Sequence, residues 1–109
     1  MKIRASLIAC SAALSLAACG GSDEGSSTPQ PSANAGKQLF TQNCSTCHTL
    51  ADAGAKGAVG PNLDQLRPGP DLVTRQVTNG GGGMPAFANK LTADQIKQVA
   101  AYVSSVAGK

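Results

Sequence analysis

Residues 44–48 of this chain read Cys-Ser-Thr-Cys-His, a run whose residue types and spacing suit the covalent attachment of a c-type haem. In such a run the two thiols form thioethers with the haem vinyl groups. The histidine that follows supplies a nitrogen ligand to the iron. The pattern therefore predicts one haem c, bound through Cys44 and Cys47, with His48 as the proximal ligand.

Cysteine pairs of this spacing also occur in three other settings. A thioredoxin-like redox pair lies beside a βαβ unit, and no strongly β-branched strand run flanks this segment. A zinc site needs more ligands, yet His48 is the only histidine and no cysteine follows Cys47. A disulfide between Cys44 and Cys47 would close a loop too short to restrain the unfolded chain much. The haem interpretation is favoured over all three.

A second candidate ligand lies in the run Gly-Gly-Gly-Gly-Met-Pro-Ala-Phe at residues 80–87. The glycines let the backbone approach a flat cofactor, and Met84 offers a soft thioether sulfur suited to iron. A flexible linker followed by a core methionine is the alternative, and a phosphate loop is disfavoured because the Lys-Ser/Thr ending is missing. Since the other methionine is Met1 and His/Met ligation is associated with electron-transfer cytochromes, we predict that Met84 is the distal ligand.

Residues 1–18 form an export signal in this interpretation, with a basic start and a short apolar stretch. The stretch is shorter than the ~20 apolar residues that a spanning helix needs. Leu16-Ala17-Ala18-Cys19 resembles the lipobox of bacterial lipoproteins, which predicts that Cys19 becomes the lipid-bearing N-terminus. The alternative is an ordinary secretory signal that leaves Cys19 as a spare thiol.

The composition changes after the lipobox. Residues 19–33 consist mainly of Gly, Ser and Pro with Gln and acidic residues, and such a segment cannot bury enough apolar surface to order itself. We interpret it as a flexible tether between the lipid and a haem domain at residues 34–109. That domain is short for a protein-only core, so a haem would supply apolar mass.

Three helices are expected in the haem domain. The first covers about residues 35–44 with Asn34 as its N-cap, and the second covers about residues 71–78. The third follows a capping box of Thr92 and Gln95. Its apolar positions lie on one face: Ile96, Val99, Ala100, Val103 and Val106.

Residues 51–70 are repeatedly interrupted by Gly and Pro and are expected to form a long irregular loop. A loop of this length normally serves a ligand, and a haem is such a ligand. No alternating strand of useful length is present. The predicted class is therefore all-α, with three or so helices and long loops wrapped around one haem.

From about residue 34 to residue 106 the chain resembles a small bacterial monohaem class I cytochrome c, in lipoprotein form. Gly36 and Phe40 resemble the family's N-terminal helix, in which the glycine allows a close crossing with an aromatic residue of the C-terminal helix. Tyr102, with Val99, is the matching partner in this sequence. The resemblance implies that these two helices cross closely.

Two further segments carry the resemblance. Gly60-Pro61-Asn62-Leu63 is similar to the family segment whose proline carbonyl accepts a hydrogen bond from the proximal histidine, which implies that Pro61 orients His48. Met84-Pro85-Ala86-Phe87 resembles the distal loop that provides the methionine ligand. The chain departs from better-known relatives in having no tryptophan.

The resemblance implies a one-electron carrier and not an enzyme, working between protein donors and acceptors of a respiratory or photosynthetic chain. The lipid would hold it at the outer face of a bacterial membrane, or at the periplasmic side of the outer membrane. Alternatives remain open: an open-site haem sensor or peroxidase-like protein if Met84 is not a ligand, a thiol-redox lipoprotein without haem, or a docked subunit of a larger complex.

Charge says little about the partner. From residue 34 onward the chain has seven basic and four acidic side chains, a net charge of +3. This moderate charge could steer an acidic redox partner, and it fits a solvated surface equally well. The lysines are scattered and not interleaved with aromatic residues, so no nucleic-acid partner is expected. No long exposed apolar pattern is evident, which favours a monomer.

Overall fold

The computed structural model describes residues 33–109. These residues form four α-helices: α1 (Ala33–Asn43), α2 (Leu63–Leu66), α3 (Pro70–Asn79) and α4 (Ala93–Val106). A small antiparallel ribbon of β1 (Thr49–Leu50) and β2 (Ala55–Lys56) lies between α1 and α2, with a 3-10 turn at Ala51–Ala53. The all-α class expected from the sequence is confirmed.

The predicted export signal at residues 1–18, the predicted lipid site at Cys19 and all of the predicted tether except Ala33 lie outside the described residues. Within residues 33–109, no helix is both long and apolar enough to cross a membrane.

The close crossing of α1 and α4 depends on Gly36. A Cβ atom at this position would lie 2.5 Å from the carbonyl oxygen of Gln98 and 2.5 Å from the Cβ of Tyr102. One turn further along α1, the Phe40 ring lies 6.1 Å from the Tyr102 ring, measured between centroids, and the two rings are tilted by 58°. Both rings are buried in the core between the helices.

Helix α4 begins as the sequence predicts. The Thr92 hydroxyl accepts a hydrogen bond from the Gln95 amide at 3.1 Å, and the Gln95 side chain accepts one from the Thr92 amide at 2.9 Å. The apolar face of α4 packs against both α1 and α3. The fifth predicted apolar position, Val106, is partly buried against the same core. The other four are buried: Ile96, Val99, Ala100 and Val103.

Two predictions about the elements were wrong. Asn34 is not an N-cap, because α1 begins at Ala33 and Asn34 lies in its first turn. Residues 51–70 are not irregular throughout, since they contain the 3-10 turn, β2 and α2. The Asn62 side chain caps α2 by accepting a hydrogen bond from the Gln65 amide at 3.3 Å, a local signal within the Gly- and Pro-rich run.

One carboxylate, that of Asp52, links the 3-10 turn to α1 and α4. Asp52 accepts a hydrogen bond of 2.5 Å from the Tyr102 hydroxyl and lies 3.5 Å from the Lys37 ammonium. The Tyr102 hydrogen bond, followed by the charge of Lys37, lowers the pKa of Asp52 below its ordinary value. Burial, followed by the Asp52 hydrogen bond, raises the pKa of Tyr102. Tyr102 is therefore a neutral phenol and Asp52 a charged carboxylate over a wide pH range.

Candidate haem site

The Cys44–His48 segment continues from the end of α1 as a compact turn. The Cys44 amide donates to the Phe40 carbonyl at 2.8 Å, and the His48 amide donates to the Cys44 carbonyl at 3.0 Å. This winding brings Cys44, Cys47 and His48 to the wall of one cavity. Both cysteines are free thiols in the structure.

The orientation of His48 is fixed by its Nδ1 nitrogen. Nδ1 lies 2.9 Å from the carbonyl oxygen of Pro61. Because a carbonyl can only accept, Nδ1 carries the proton and donates, which leaves Nε2 as the ring nitrogen with a lone pair for a metal. The ring packs closely on Gly60, where an added Cβ would lie 2.5 Å from His48 Cε1. The glycine is therefore required by the approach of the imidazole.

The cavity has a volume of about 430 Å³, within the range of cofactor sites. Thiol, imidazole and thioether groups line it together with apolar side chains from all four helices. The apolar residues nearest the core are Phe40, Leu63, Val73, Val77, Val99 and Val103. Two thiols for thioethers, a histidine and a methionine on the wall of an apolar cavity are the groups that a c-type haem requires, so the residues present fit this cofactor.

Met84 is presented by a tight hairpin turn. The Gly81 amide donates to the Met84 carbonyl at 2.9 Å, and the Met84 amide donates to the Gly81 carbonyl at 3.1 Å. The two residues between them, Gly82 and Gly83, have φ angles of 61° and 89°. Turns with two positive φ angles favour glycine because it has no Cβ. The glycine run therefore has a defined conformation, and Met84 lines the cavity and packs against the core.

The electrostatics of Cys44 do not resemble those of a redox thiol. Burial, followed by the charge of Cys47, raises the pKa of the Cys44 thiol to about 11. Redox-active Cys-x-x-Cys pairs instead depend on a thiolate with a lowered pKa. This observation disfavours the thiol-redox alternative.

Five of the six predicted site residues lie around one cavity: Cys44, Cys47, His48, Pro61 and Met84. The sixth, Cys19, lies outside the described residues. Sequence reasoning missed the exposed apolar side chains that also line the cavity, namely Val59 (84% exposed), Leu66 (51%) and Leu72 (43%). For Val59 and Leu66, the available signal was an apolar side chain within a Gly- and Pro-rich segment that was expected to contact a ligand.

Sequence comparison identifies relatives that cover most of the described region. Residues 31–103 match a family model described as cytochrome c oxidase, cbb3-type, subunit III. Cytochrome c6 from Leptolyngbya boryana is 42% identical over 81 residues, which cover 71% of this chain and 95% of the relative. Cytochrome c6 from Porphyra purpurea is 38% identical over 82 residues, which cover 68% of this chain and 71% of the relative.

Solved structures give the same result. The c-type cytochrome SorU from Sinorhizobium meliloti superposes with a TM-score of 0.68 at 51% identity, covering 71% of this chain and 92% of SorU. Cytochrome c6 from the diatom Phaeodactylum tricornutum superposes with a TM-score of 0.56 at 36% identity, covering 69% of this chain and 93% of that protein. The chain belongs to the cytochrome c family and has the class I cytochrome c fold.

Proposed function

We propose that this chain is a one-electron carrier with a single haem c, attached through Cys44 and Cys47 and ligated by His48 and Met84. The observation that carries the proposal is the placement of these four side chains on the wall of one apolar cavity. When bound, the haem supplies the one-electron couple between ferrous and ferric iron. The relatives named cytochrome c6 support the same assignment.

The side chains around the cavity would have separate tasks. The Pro61 carbonyl fixes the tautomer and the plane of the His48 ring and makes the imidazole a stronger electron donor. The Met84 thioether is a soft ligand that favours the ferrous state and raises the reduction potential. The apolar walls of the cavity would keep bulk water from the iron, which would also tune the potential.

The proposal makes the protein a carrier and not an enzyme. His48 and Met84 would together hold the haem iron, so no substrate would need to bind it, and the haem would supply a redox couple for exchange of electrons with protein partners. The open-site sensor or peroxidase requires Met84 to leave the iron free. The Gly81–Met84 hairpin, which holds Met84 at the cavity wall, supports ligation instead.

We also propose that the mature protein begins at a lipidated Cys19 and is held at the outer face of the cytoplasmic membrane or the periplasmic side of the outer membrane. The cysteines support this division: Cys10 lies in the predicted signal, Cys19 is the last residue of the lipobox-like run, and Cys44 and Cys47 line the cavity. Each acyl CH₂ that enters the bilayer contributes ~0.8 kcal/mol, so a multiply acylated N-terminus would anchor the protein stably.

Intact mass and spectra of the protein matured in a bacterial periplasm test the haem assignment. We expect the mass of the mature chain and its lipid plus one haem that resists extraction, and a spectrum that changes reversibly on reduction. The double variant Cys44→Ala/Cys47→Ala should lose the covalent haem, whereas Ser45→Ala should retain it. A wild-type protein without haem would contradict the proposal.

Metabolic labelling with a radioactive fatty acid tests the anchor. We expect label in the wild-type protein and none in Cys19→Ser, while Cys10→Ser should be labelled like the wild type. Equal labelling of the wild type and Cys19→Ser would contradict lipidation at Cys19. This test does not depend on haem binding.

A further inference from the structure

Two segments near the candidate proximal ligand lie side by side with a constant offset of thirteen residues. The Gly60 amide donates to the Cys47 carbonyl at 2.7 Å, and His48 Nδ1 donates to the Pro61 carbonyl at 2.9 Å. Three residues further along both segments, the Ala51 amide donates to Asp64 Oδ2 at 2.8 Å. The His48–Pro61 hydrogen bond therefore lies between a backbone link on one side and a carboxylate link on the other.

The same carboxylate joins a third segment. Its other oxygen, Oδ1, accepts a hydrogen bond of 2.9 Å from the amide of Gly108, just beyond the end of α4. Asp64 thus ties α2 to the first residue of the 3-10 turn and to the C-terminal end of the chain. Hydrogen bonds from backbone amides to an ionised carboxylate are shorter and about twice as strong as neutral ones.

Pro61 is held mainly through its neighbours in the chain. It is exposed and has no amide proton to donate, and Val59, two residues before it, is also exposed, whereas the amide of Gly60 binds the Cys47 carbonyl. The Asn62 side chain is used to cap α2. Downstream of Pro61, the segment is fixed by the burial of Leu63 and by the Asp64 carboxylate.

We propose that Asp64 is a positioning residue that keeps the Pro61 carbonyl in hydrogen-bonding contact with His48 and so tunes the reduction potential. This inference rests on the proposed function, because the orientation and basicity of His48 matter there through the iron. Loss of the Asp64 link would let the Pro61 segment move away from the imidazole. The imidazole would then donate less electron density, the ferric state would be less stable, and the potential would rise.

The test must separate position from charge, because removal of a negative charge also raises a potential. Asp64→Glu keeps the charge and moves the carboxylate by one CH₂. We expect the ratio of ferrous to ferric protein, at the wild-type midpoint potential, to rise about threefold in this variant. At 59 mV per tenfold change for one electron, this is about 30 mV.

A second readout follows the hydrogen bond directly. In ¹⁵N-labelled reduced holoprotein, we expect the His48 Nδ1 proton to exchange with water several-fold faster in Asp64→Glu than in the wild type. Asp52→Glu is the matched control, since Asp52 lies on the same 3-10 turn but binds Tyr102 and Lys37. It should leave both the potential and the exchange rate unchanged even if it lowers stability.

Asp64→Asn is the second variant if Asp64→Glu does not mature. Its amide oxygen can still accept one of the two hydrogen bonds, and the exchange rate of the His48 proton should again rise. The reduction potential could change in Asp64→Asn but not in Asp64→Glu, while the exchange rate of the His48 proton stays unchanged in both variants. That result would overturn the inference in favour of a charge effect. Equal changes in Asp64→Glu and Asp52→Glu would overturn it in favour of general loosening. A wild type without haem overturns the proposed function as well.

Discussion

The Nδ1 nitrogen of His48 donates to the carbonyl oxygen of Pro61 across 2.9 Å, which leaves Nε2 as the nitrogen for a metal. The residue before Pro61 is a glycine that packs against the imidazole ring. A short segment therefore fixes both the tautomer and the position of the candidate proximal ligand.

Replacement of Gly60 by alanine should disturb this ligand. The new Cβ would lie 2.5 Å from His48 Cε1 and 2.9 Å from Nδ1, so the ring must shift away from the Pro61 carbonyl. We expect a loss of about 1–3 kcal/mol in the free energy of unfolding of the holoprotein, the usual cost of overpacking. Guanidinium titration followed by haem absorbance measures it.

Gly69→Ser is the control for this substitution. A Cβ at Gly69 meets no atom within 4 Å, and serine suits the N-cap position that Gly69 occupies in front of α3. Its stability should stay within about 0.5 kcal/mol of the wild type. A Gly60→Ala protein as stable as this control would contradict the close packing of the His48 ring on Gly60.

Gly36→Ala should destabilise the protein at the crossing of α1 and α4. The added Cβ would lie 2.5 Å from the Gln98 carbonyl oxygen, which belongs to a helix backbone and cannot rotate away. The overlap outweighs the gain of up to about 1 kcal/mol in helix propensity, and we expect a net loss of about 1–3 kcal/mol. Thermal unfolding followed by circular dichroism measures the change, with Gly69→Ser again as reference. An increase in melting temperature would contradict the close crossing.

The Asp52–Tyr102 hydrogen bond should make stability depend on pH at both extremes. The folded-state pKa of Asp52 is lowered, so its contribution is present above the ordinary value of about 3.9. That contribution is lost as the pH falls through the folded value. The pKa of Tyr102 is raised, so its contribution is present below about 10 and is lost as the pH rises above that.

Tyr102→Phe isolates this effect. The difference in free energy of unfolding between wild type and Tyr102→Phe should be largest from about pH 5 to 9 and should shrink on either side, by the linkage between proton binding and stability. Urea titrations across this range provide the measurement. A difference that is constant from pH 3 to 11 would mean that the hydrogen bond does not stabilise the folded state.

Removal of the cofactor should unfold much of the domain. A vacant cavity costs about 24 cal/mol per Å³ when its walls do not relax. At that rate the volume of about 430 Å³ corresponds to an upper bound of about 10 kcal/mol, comparable to the entire stability of a small domain. Cys44→Ala/Cys47→Ala, produced without haem, should show reduced far-UV circular dichroism. A native helical spectrum with cooperative unfolding would contradict this expectation.

Local signals in the sequence predicted three of the four described helices, α1, α3 and α4, whereas α2 was missed. Thr92 and Gln95 are three residues apart ahead of an apolar stripe, and both hydrogen bonds of the capping box are present. The prediction for Asn34 was wrong because asparagine and serine are equally favoured N-caps, so residue type alone does not choose between Asn34 and Ser32, and α1 begins at Ala33.

Other features depend on contacts between distant parts of the chain. The two-residue strands β1 and β2 are too short for a period-2 pattern to be visible. Asp64 binds the amides of Ala51 and Gly108, which are 13 and 44 residues away. Asp52 binds Tyr102, 50 residues away. In a single sequence, aspartates with such partners do not differ from solvated ones.

The near-infrared absorption band of the oxidised protein, which arises from charge transfer between methionine sulfur and ferric iron, tests the central claim most directly. The account predicts this band in the wild type, its loss in Met84→Ala and its retention in Val59→Ala, which also alters the cavity wall. A haem-containing wild type without the band, or a band that survives in Met84→Ala, would contradict His48/Met84 ligation and the carrier function built on it.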